Sequence, residues 1–208
     1  FIRRPINIVE IYLGLPAYNE EASIKPLFTR VEALQKKMTQ RIHVMVYDDG
    51  CVDNTRAEVM AWQERLSIIY LDGVVNKGLG AGMSALTTEF AHRGKEEDFL
   101  VVMDCDDTHD PEQIPTMLQV FEAKPATDVV IASRYRAGAT ISGVPFHRVL
   151  LSIGAAMLYK SVHPIWHARD YTCGYRAYRL RAVKNAIAKF GEPLSLIHIS
   201  EPTRPLYI

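Results

Sequence analysis

The sequence predicts an α/β protein in which a mostly parallel sheet is flanked by helices, and three observations support this. Short, apolar, β-branched runs alternate with segments of helical periodicity along the chain. Several of these runs have no polar alternation, which is typical of strands that are covered on both faces. Each run is followed by a polar or glycine-rich turn, as expected where parallel strands end and right-handed crossovers begin.

Five strands and four helices are predicted in order before residue 138. The strands are Ile8–Leu15, Ile42–Tyr47, Ser67–Leu71, Phe99–Met103 and Val129–Ser133. The helices are Ser23–Lys37, Asn54–Arg65, Gly80–Arg93 and Pro111–Ala123. Pro26 falls in the first turn of its helix, where the missing N–H costs little. Asp110 and Pro111 form a favourable N-cap and N1 pair for the fourth helix.

A second region begins near Gly138. Val144–Val162 has a mostly apolar helical pattern, which fits either a core helix or an amphipathic helix on a membrane surface. Asp170–Arg176 is polar, contains glycine and is predicted to be a loop. Ala177–Phe190 is predicted to be a helix.

Composition argues against several function classes. The 208 residues are 48% hydrophobic and 23% charged, as in an ordinary soluble globular domain. The formal net charge is zero, so no general attraction to nucleic acid or to anionic lipid is expected. The three cysteines lie far apart without a C-x-x-C spacing, which indicates reduced thiols in a cytosolic setting. No apolar stretch reaches the ~18–20 residues that a transmembrane helix needs.

Both ends of the chain indicate that the native sequence is longer. The chain begins at Phe1 without methionine, so the true start is expected upstream. From Leu194 the letters LSLIHISEPTR match a translated frame of an adapter used in transposase-based sequencing libraries. We therefore predict a single domain over residues 1–193, truncated at its C-terminus, and interpret residues 194–208 as adapter read-through.

The polar turns that follow the five strands form one predicted site. Because the carboxyl ends of parallel strands meet at one edge of a sheet, open α/β folds bind ligands there. The turns are PAYNEE (16–21), DDGCVDNT (48–55), DGVVNKGLGAG (72–82), DCDDTHDP (104–111) and RYRAG (134–138). One such turn would be ordinary, whereas five at one edge indicate a contiguous binding site.

The fourth turn is the most acidic, because Asp104, Asp106, Asp107 and Asp110 follow an apolar run with no basic residue among them. Carboxylates of this kind are typical ligands of Mg²⁺ or Mn²⁺, which take one or two of them together with phosphate and water. Alternation along an extended chain places Asp104 and Asp106 on the same side, so these two are the predicted metal ligands. Asp107 is predicted to be a solvated loop charge, and Asp110 a helix cap.

Cations and glycines in the neighbouring turns complete the predicted site. Lys77, Arg134 and Arg136 could hold the phosphates that the metal bridges. The backbone N–H groups around Gly78, Gly80 and Gly82 could approach a phosphate or a sugar closely, because no side chain stands in the way.

Other residues in and near these turns have plainer interpretations. His109 fits a site residue and a structural residue equally well. Cys51 and Cys105 fit small packing residues better than nucleophiles, and His43 fits an ordinary, partly buried strand residue. Two competing motifs fail on their spacing. A dinucleotide-binding Gly-x-Gly-x-x-Gly is broken at Met83, and a calcium loop starting at the fourth turn would lack its required glycine and glutamate.

These turns together resemble the family 2 glycosyltransferases, which have a GT-A fold with a Rossmann-like sheet. PAYNEE resembles the first turn of that family, YDDGCVDNT its D-D-G-S-x-D-x-T turn, and NKGLGAGMSAL its N-x-G-x-G-x-A helix start. VVMDCDDTHDPEQIP resembles its D-x-D-x-x-H-x-P segment, and DVVIASRYRAG and DYTCGYRAYR resemble its later elements. The match runs from about Ile11 to Arg181 in the family's order. The last element is most similar to polyprenyl-phosphate sugar transferases of the dolichol-phosphate mannosyltransferase type.

The resemblance implies a role for each matched position. The donor nucleotide would be held by Pro16, Ala17, Tyr18, Glu20, Asp48, Asp49, Lys77, Gly78, Gly80, Asp104 and Cys105. Asp104 and Asp106 would bind Mn²⁺ or Mg²⁺ with the diphosphate, and Asp106 would thereby be catalytic. Arg134 and Arg176 would face phosphates or the acceptor, and Asp170 would be the catalytic residue on the acceptor side.

The resemblance further implies a metal-dependent, inverting glycosyltransferase that moves a sugar from a GDP- or UDP-sugar, and its nearest type uses a polyprenyl phosphate at the cytoplasmic face of a membrane. A saccharide hydroxyl acceptor, a non-catalytic nucleotide-sugar-binding protein and a nucleotidyltransferase stay open as alternatives. Thr108 stands where this type often carries glutamine, and Cys173 where serine is usual, so the finer substrate assignment is less specific. No nucleic-acid partner is expected. Because such enzymes usually need residues beyond 170–176 to close over the donor, the fragment could be inactive.

Overall fold

A computed structural model of the chain describes residues 9–132, residues 173–191 and the strand formed by residues 205–207. Within these residues, seven strands form one mixed sheet. The strands are β1 (Glu10–Ala17), β2 (Arg41–Asp48), β3 (Ser67–Asp72), β4 (Phe99–Val102), β5 (Val129–Ile131), β6 (Arg176–Arg179) and β7 (Pro205–Tyr207). The helices are α1 (Glu21–Lys37), α2 (Thr55–Met60), α3 (Leu79–Arg93), a 3₁₀ helix (Pro111–Gln113), α4 (Ile114–Ala123) and α5 (Leu180–Phe190).

The strand order, β3-β2-β1-β4-β6-β5-β7, places β1 and β4 side by side. β1 pairs in parallel with both β2 and β4, and β2 pairs in parallel with β3. The chain therefore moves outward from β1 to β3 and returns past β1 to reach β4. With right-handed crossovers, this reversal places α3 on the opposite face of the sheet from α1 and α2. It also creates a switch point between β1 and β4, where open α/β sheets bind ligands.

The helices cover the sheet through apolar stripes. In α1 the buried residues recur at the helical period, and they are Ile24, Leu27, Phe28, Val31 and Leu34. α1 contacts α2 and the 3₁₀ helix, whereas α3 contacts β1, β2 and α5. α3 approaches closely at Gly82, where an added Cβ would lie 3.1 Å from Tyr47 and 3.2 Å from Pro16. In the described part of the chain, no helix is both long and apolar enough to cross a membrane.

The five predicted strands are all present as β1 to β5, with ends that shift by a few residues. The prediction for the C-terminal part was wrong at one element. Arg176–Arg179, divided in the prediction between a loop and a helix, forms β6. This strand lies antiparallel between β4 and β5 and pairs with both. Four residues of mixed polarity carry no clear period, so pairing on both sides decides the conformation.

Several helix boundaries also differ from prediction. The second helix ends at Met60 instead of Arg65, because the hydrogen bonds then tighten: Trp62 N–H donates to Val59 O and Gln63 N–H to Met60 O. Pro111–Gln113 forms a 3₁₀ turn ahead of α4. The predicted segment Val144–Val162 lies outside the described residues.

The last strand, β7, pairs in parallel with β5. It falls within residues 194–208, the segment predicted to be adapter read-through, so the site is described from β1 to β6.

The centre of β1 is the expected point of greatest sensitivity in the core. Leu13 is fully buried and faces Val44 of β2 and Val101 of β4 in the sheet register. Leu13→Ala should lower the free energy of unfolding by about 2–5 kcal/mol, because the removed atoms leave a cavity between two helix layers. Urea titration monitored by circular dichroism would measure it. Val52→Ala, at a side chain 86% exposed, should change stability by less than about 0.5 kcal/mol. Equal losses for the two variants would contradict this placement of the core.

Candidate active site

A cavity of about 240 Å³ opens at the switch point, at the carboxyl edge of the sheet. Its lining comes from the turns after β1, β2, β3 and β4, as the strand pattern predicts. The lining residues are Pro16, Ala17, Tyr18, Glu20, Tyr47, Asp49, Gly78, Leu79, Gly82, Asp104, Cys105 and Asp106. Residues separated by up to 90 positions in the sequence therefore meet at one site.

The turn after β1 is tied to the turn after β2. Asn19 adopts a left-handed conformation, with φ of 57°, and its side-chain carbonyl accepts a hydrogen bond from Val52 N–H at 2.9 Å. Glu20 N–H donates to the Thr55 hydroxyl at 2.7 Å. These contacts hold Tyr18, whose side chain is about half exposed, at the mouth of the cavity.

Asp48 supports its turn from inside the protein. It is 6% exposed, and its Oδ1 accepts a hydrogen bond from Cys51 N–H at 2.7 Å, while the Tyr70 hydroxyl donates to Oδ2. Burial alone would raise the pKa of Asp48, but these hydrogen bonds outweigh it and keep the pKa below its ordinary value. Both carboxylate oxygens thus accept hydrogen bonds from the protein, and Asp48 lies beside the cavity lining.

Asp49 joins the second turn to the third. Its two oxygens accept hydrogen bonds from Lys77 N–H and Gly78 N–H, both at 2.8 Å. Gly78 has a φ of 81°, a conformation that favours glycine, and α3 begins directly after it. The Lys77 side chain is exposed. An added Cβ at Gly50 would lie 2.7 Å from Asn76 N, which shows how closely these two turns pack.

The turn after β4, residues 104–110, is here named the acidic turn. The Asp104 side chain is 47% exposed and Asp106 is exposed, whereas Cys105 between them is buried. The alternation agrees with the prediction that both aspartates lie on one side. Thr108 donates to Asp106 Oδ1 through its backbone N–H at 3.0 Å and its hydroxyl at 2.7 Å.

The other two aspartates of the acidic turn are paired with Arg30 of α1. The guanidinium contacts Asp107 Oδ1 at 2.8 Å and Asp110 Oδ1 at 2.7 Å. The prediction of a solvated Asp107 is therefore wrong, because a cation 77 positions earlier in the sequence reaches it. The predicted cap is confirmed, since Asp110 Oδ1 also accepts a hydrogen bond from Glu112 N–H at 3.0 Å.

Four other residues in and near the turns, two histidines and two cysteines, fit structural roles. His109 Nδ1 accepts a hydrogen bond from Asp104 N–H at 3.2 Å, and its ring packs against Tyr175. Burial raises the pKa of Cys51 to about 11 and also raises the pKa of Cys105, so both thiols are neutral near pH 7. This agrees with their interpretation as packing residues. His43 is partly buried and shares a hydrogen bond of 2.8 Å with Ser67, as expected of an ordinary strand residue.

The segment before β6 packs against the acidic turn. An added Cβ at Gly174 would lie 3.2 Å from Asp104 Oδ1. The Tyr175 hydroxyl donates to Asp110 O at 2.8 Å. Arg176 is 2% exposed, and its Nε donates to Cys173 O at 2.8 Å. The last sequence motif therefore packs against Asp104 and Asp110 of the acidic turn.

Residues 12–186 match the family described as Glycosyl transferase family 2. The chain belongs to glycosyl transferase family 2.

Two relatives of this family 2 domain carry names that mention lipid phosphates. The chain is 32% identical over 182 residues to the dolichol-phosphate mannosyltransferase of Pyrococcus furiosus, and the match covers 85% of the chain and 48% of that protein. It is 34% identical over 174 residues to the undecaprenyl-phosphate mannosyltransferase of Micrococcus luteus, covering 81% of the chain and 67% of that protein. The chain spans about half the length of the first of these.

A solved structure confirms the predicted fold. Glucosyl-3-phosphoglycerate synthase from Mycobacterium tuberculosis, in complex with Mn²⁺, UDP-glucose and phosphoglyceric acid, superposes with a TM-score of 0.61. The match covers 84% of this chain and 57% of that one at 19% identity, so it supports the GT-A fold alone.

The family 2 domain brings together most of the residues predicted to bind the donor or the metal. Those that line the cavity are Pro16, Ala17, Tyr18, Glu20, Asp49, Gly78, Asp104, Cys105 and Asp106. Gly80 is exposed in the first turn of α3, with open space where a side chain would stand. Arg176 is buried and does not line the cavity. Asp170 and Arg134 lie outside the described residues.

Several site residues were missed in the sequence. Tyr47 precedes Asp48 and pairs with Pro16 in the sheet register, so the end of the apolar run was an available signal. Leu79 follows Gly78, inside a turn already assigned to the site. Arg30 gave no signal, because a helical arginine far from the acidic turn resembles any solvated surface residue.

A methyl group at Gly174 is expected to shift the neighbouring Asp104 carboxylate. In Gly174→Ala the Cβ would lie 3.2 Å from Asp104 Oδ1, so the carboxylate should move, and any binding of GDP or UDP with Mn²⁺ at the cavity should weaken by roughly tenfold. Titration calorimetry with GDP and UDP, with and without Mn²⁺, would measure this. Gly14→Ala is the matched control, since its Cβ would meet only Leu100 and Leu86 side chains at 3.4 Å. Unchanged binding in Gly174→Ala would contradict the close approach.

Proposed function

We propose that this family 2 domain transfers a sugar from a nucleoside-diphosphate sugar to a polyprenyl phosphate, with a divalent cation and with inversion at the anomeric carbon. One observation carries the proposal: the cavity at the switch point is lined on one side by Asp104 and Asp106 and on the other by Gly78 at the start of α3. Carboxylates and a helix N-terminus facing one space suit a cation with a diphosphate.

The nucleotide would lie against the turns after β1 and β2. Tyr18 offers an exposed aromatic ring for the base, and Glu20 and Asp49 offer carboxylates at the same cavity. The diphosphate would lie against Gly78, where no Cβ blocks the backbone and nothing lies within 4 Å of the place that a Cβ would take. Leu79 and Gly80 open α3, so their N–H groups have no acceptor within the helix and are suited to phosphate oxygens.

The residues present fit a hard divalent cation. Within the described residues, no group of three or more His, Cys, Asp or Glu side chains could hold a metal ion by itself. Two carboxylates are nevertheless the usual protein share for Mg²⁺ or Mn²⁺ when a phosphate supplies further oxygens. Asp104 and Asp106 would hold the ion. When bound, it would act as a Lewis acid that stabilises the negative charge developing on the diphosphate leaving group.

The chain's own residues would orient the two reactants. Inversion requires the acceptor to approach the anomeric carbon from the side opposite the diphosphate. A polyprenyl phosphate is already ionised, so the protein needs to gather two anions more than to remove a proton. We assign this gathering to Arg134 and the base role, for a hydroxyl acceptor, to Asp170. The hydrogen bond from Arg176 Nε to Cys173 O supports a different role for Arg176, that of holding the segment around Gly174 against Asp104.

The acceptor is proposed from the two relatives, whose names mention dolichol phosphate and undecaprenyl phosphate. Such acceptors are membrane lipids, so the domain would work at a membrane surface, and we propose the cytoplasmic face. The donor is proposed to be a GDP- or UDP-sugar.

Loss of one metal ligand tests the reaction. Asp106→Asn keeps the size of the side chain but removes its charge, so turnover should fall at least about 100-fold, or about 2.7 kcal/mol of barrier. Release of GDP or UDP from the donor sugar would be measured. Asp72→Asn is the control, because Asp72 lies at the same sheet edge, 47% exposed and paired with Arg56. Near-normal turnover in Asp106→Asn would exclude the metal role of Asp106.

The acceptor class is tested separately. With labelled GDP- and UDP-hexoses and Mn²⁺, label should move into the organic phase with a polyprenyl phosphate and stay in water with the matching unphosphorylated polyprenol. The phosphate is the ionised nucleophile, so its removal should abolish transfer. Transfer to a free saccharide instead would favour the hydroxyl-acceptor alternative.

A further inference from the structure

The acidic turn contains more carboxylates than a cation site uses. Four aspartates lie within residues 104–110, and Mg²⁺ or Mn²⁺ usually takes one or two from a protein. Unpaired, Asp107 would stand directly beside Asp106 as a competing ligand and as a source of repulsion. The structure therefore has to separate two carboxylates from the other two.

Arg30 provides that separation. Its Nη1 donates to Asp107 Oδ1 at 2.8 Å and more weakly to His109 O at 3.4 Å, and its Nη2 donates to Asp110 Oδ1 at 2.7 Å. One planar guanidinium thus spans the second half of the acidic turn. A fork of fixed geometry suits two separate oxygens, which a lysine ammonium cannot match.

The backbone of the acidic turn requires such support. Asp107 has a φ of 57°, in the left-handed region that residues other than glycine seldom adopt. Asp106 Oδ1 accepts two hydrogen bonds from Thr108 across this residue. The conformation at Asp107 therefore sets the direction of the Asp106 side chain, and the ion pair with Arg30 holds that conformation.

The charge of Arg30 is secure at neutral pH. Burial alone would lower its pKa, but the hydrogen bonds with Asp110 and Asp107 outweigh this and raise the pKa above its ordinary value. The Arg30 side chain is 37% exposed, so its ion pairs are partly screened by solvent. The ion pairs of Arg30 therefore contribute more to the geometry of the acidic turn than to the free energy of unfolding.

We propose that Arg30 is a positioning residue for the cation and diphosphate site: it holds Asp107 and Asp110 away from the cavity, so that Asp104 and Asp106 are the aspartates of the acidic turn that face it. This rests on the proposed function of the cavity. Arg30 does not line the cavity, so it would act through the acidic turn and not by touching the ligand.

Binding of Mn²⁺ to the whole chain tests the proposal. Free Mn²⁺ would be followed by electron paramagnetic resonance during titration, with GDP or with UDP present. Arg30→Gln should weaken Mn²⁺ binding roughly tenfold, at the lower end of what loss of a supporting contact usually costs. Arg30→Lys keeps the charge, but a lysine ammonium contacts one carboxylate at a time. Its loss of Mn²⁺ affinity should therefore be smaller than that of Arg30→Gln, at roughly threefold.

The direction of these changes separates position from charge. Removing a cation makes the site more negative, so a purely electrostatic role predicts tighter Mn²⁺ binding in Arg30→Gln and no change in Arg30→Lys. Weaker binding in both variants supports positioning, and either electrostatic result would overturn it. If Arg30→Gln does not fold, as judged by thermal denaturation, Arg30→Lys still decides between the two roles.

Lys37→Gln is the matched control. Lys37 also lies on α1 and pairs with Glu112 at 2.7 Å, so its loss removes an ion pair between α1 and the 3₁₀ helix that directly follows the acidic turn. Mn²⁺ binding by Lys37→Gln should match that of the unsubstituted chain. An equal loss of Mn²⁺ binding in Lys37→Gln would mean that the Arg30 variants act only by loosening the packing of α1.

If the unsubstituted chain binds no Mn²⁺ with either nucleotide, the proposed function and this proposal both fail. If it binds normally and the Arg30 variants match it, only the role of Arg30 fails.

Discussion

The reversal of strand order between β1 and β4 is the constraint on which the site depends. Because β1 pairs in parallel with both β2 and β4, the turns that follow these strands leave the sheet at the same edge. The backbone then joins the turns to one another through side-chain acceptors. Asn19 binds the Val52 N–H, and Asp49 binds the N–H groups of Lys77 and Gly78. The cavity walls are therefore held in place before any ligand arrives, which is the condition for electrostatic stabilisation without reorganisation.

Several carboxylates of the site region are held by partners within the protein. Asp48 accepts hydrogen bonds from Cys51 N–H and the Tyr70 hydroxyl, and Asp107 and Asp110 share Arg30. Asp104 and Asp106 are left facing the cavity. Four aspartates so close together would repel one another if none of them were paired. Because Arg30 pairs with two of them, the acidic turn presents the other two carboxylates to the cavity, an arrangement suited to a cation that arrives with a diphosphate.

The segment before β6 links the two halves of the domain. Because β6 lies between β4 and β5, the segment before it places Gly174 against the Asp104 carboxylate and the Tyr175 hydroxyl next to Asp110 O. A movement of this segment would therefore be transmitted directly to the acidic turn. The packing couples the acidic turn to the last sequence motif, over a distance of about 70 positions in the chain.

The sequence by itself determined the α/β class, the five strands β1 to β5 and the four turns that line the cavity, because apolar periodicity and turn chemistry are local properties. The fifth predicted turn, residues 134–138, lies outside the described residues. The sequence also distinguished Asp110 as a helix cap, since Pro111 follows it. Tertiary structure alone decided that Arg176–Arg179 is a strand, that both oxygens of Asp48 accept bonds within the protein, and that Arg30 pairs with Asp107. Each of these depends on a partner far away in the chain, and neither composition nor spacing records which distant groups the strand order will bring within hydrogen-bonding distance.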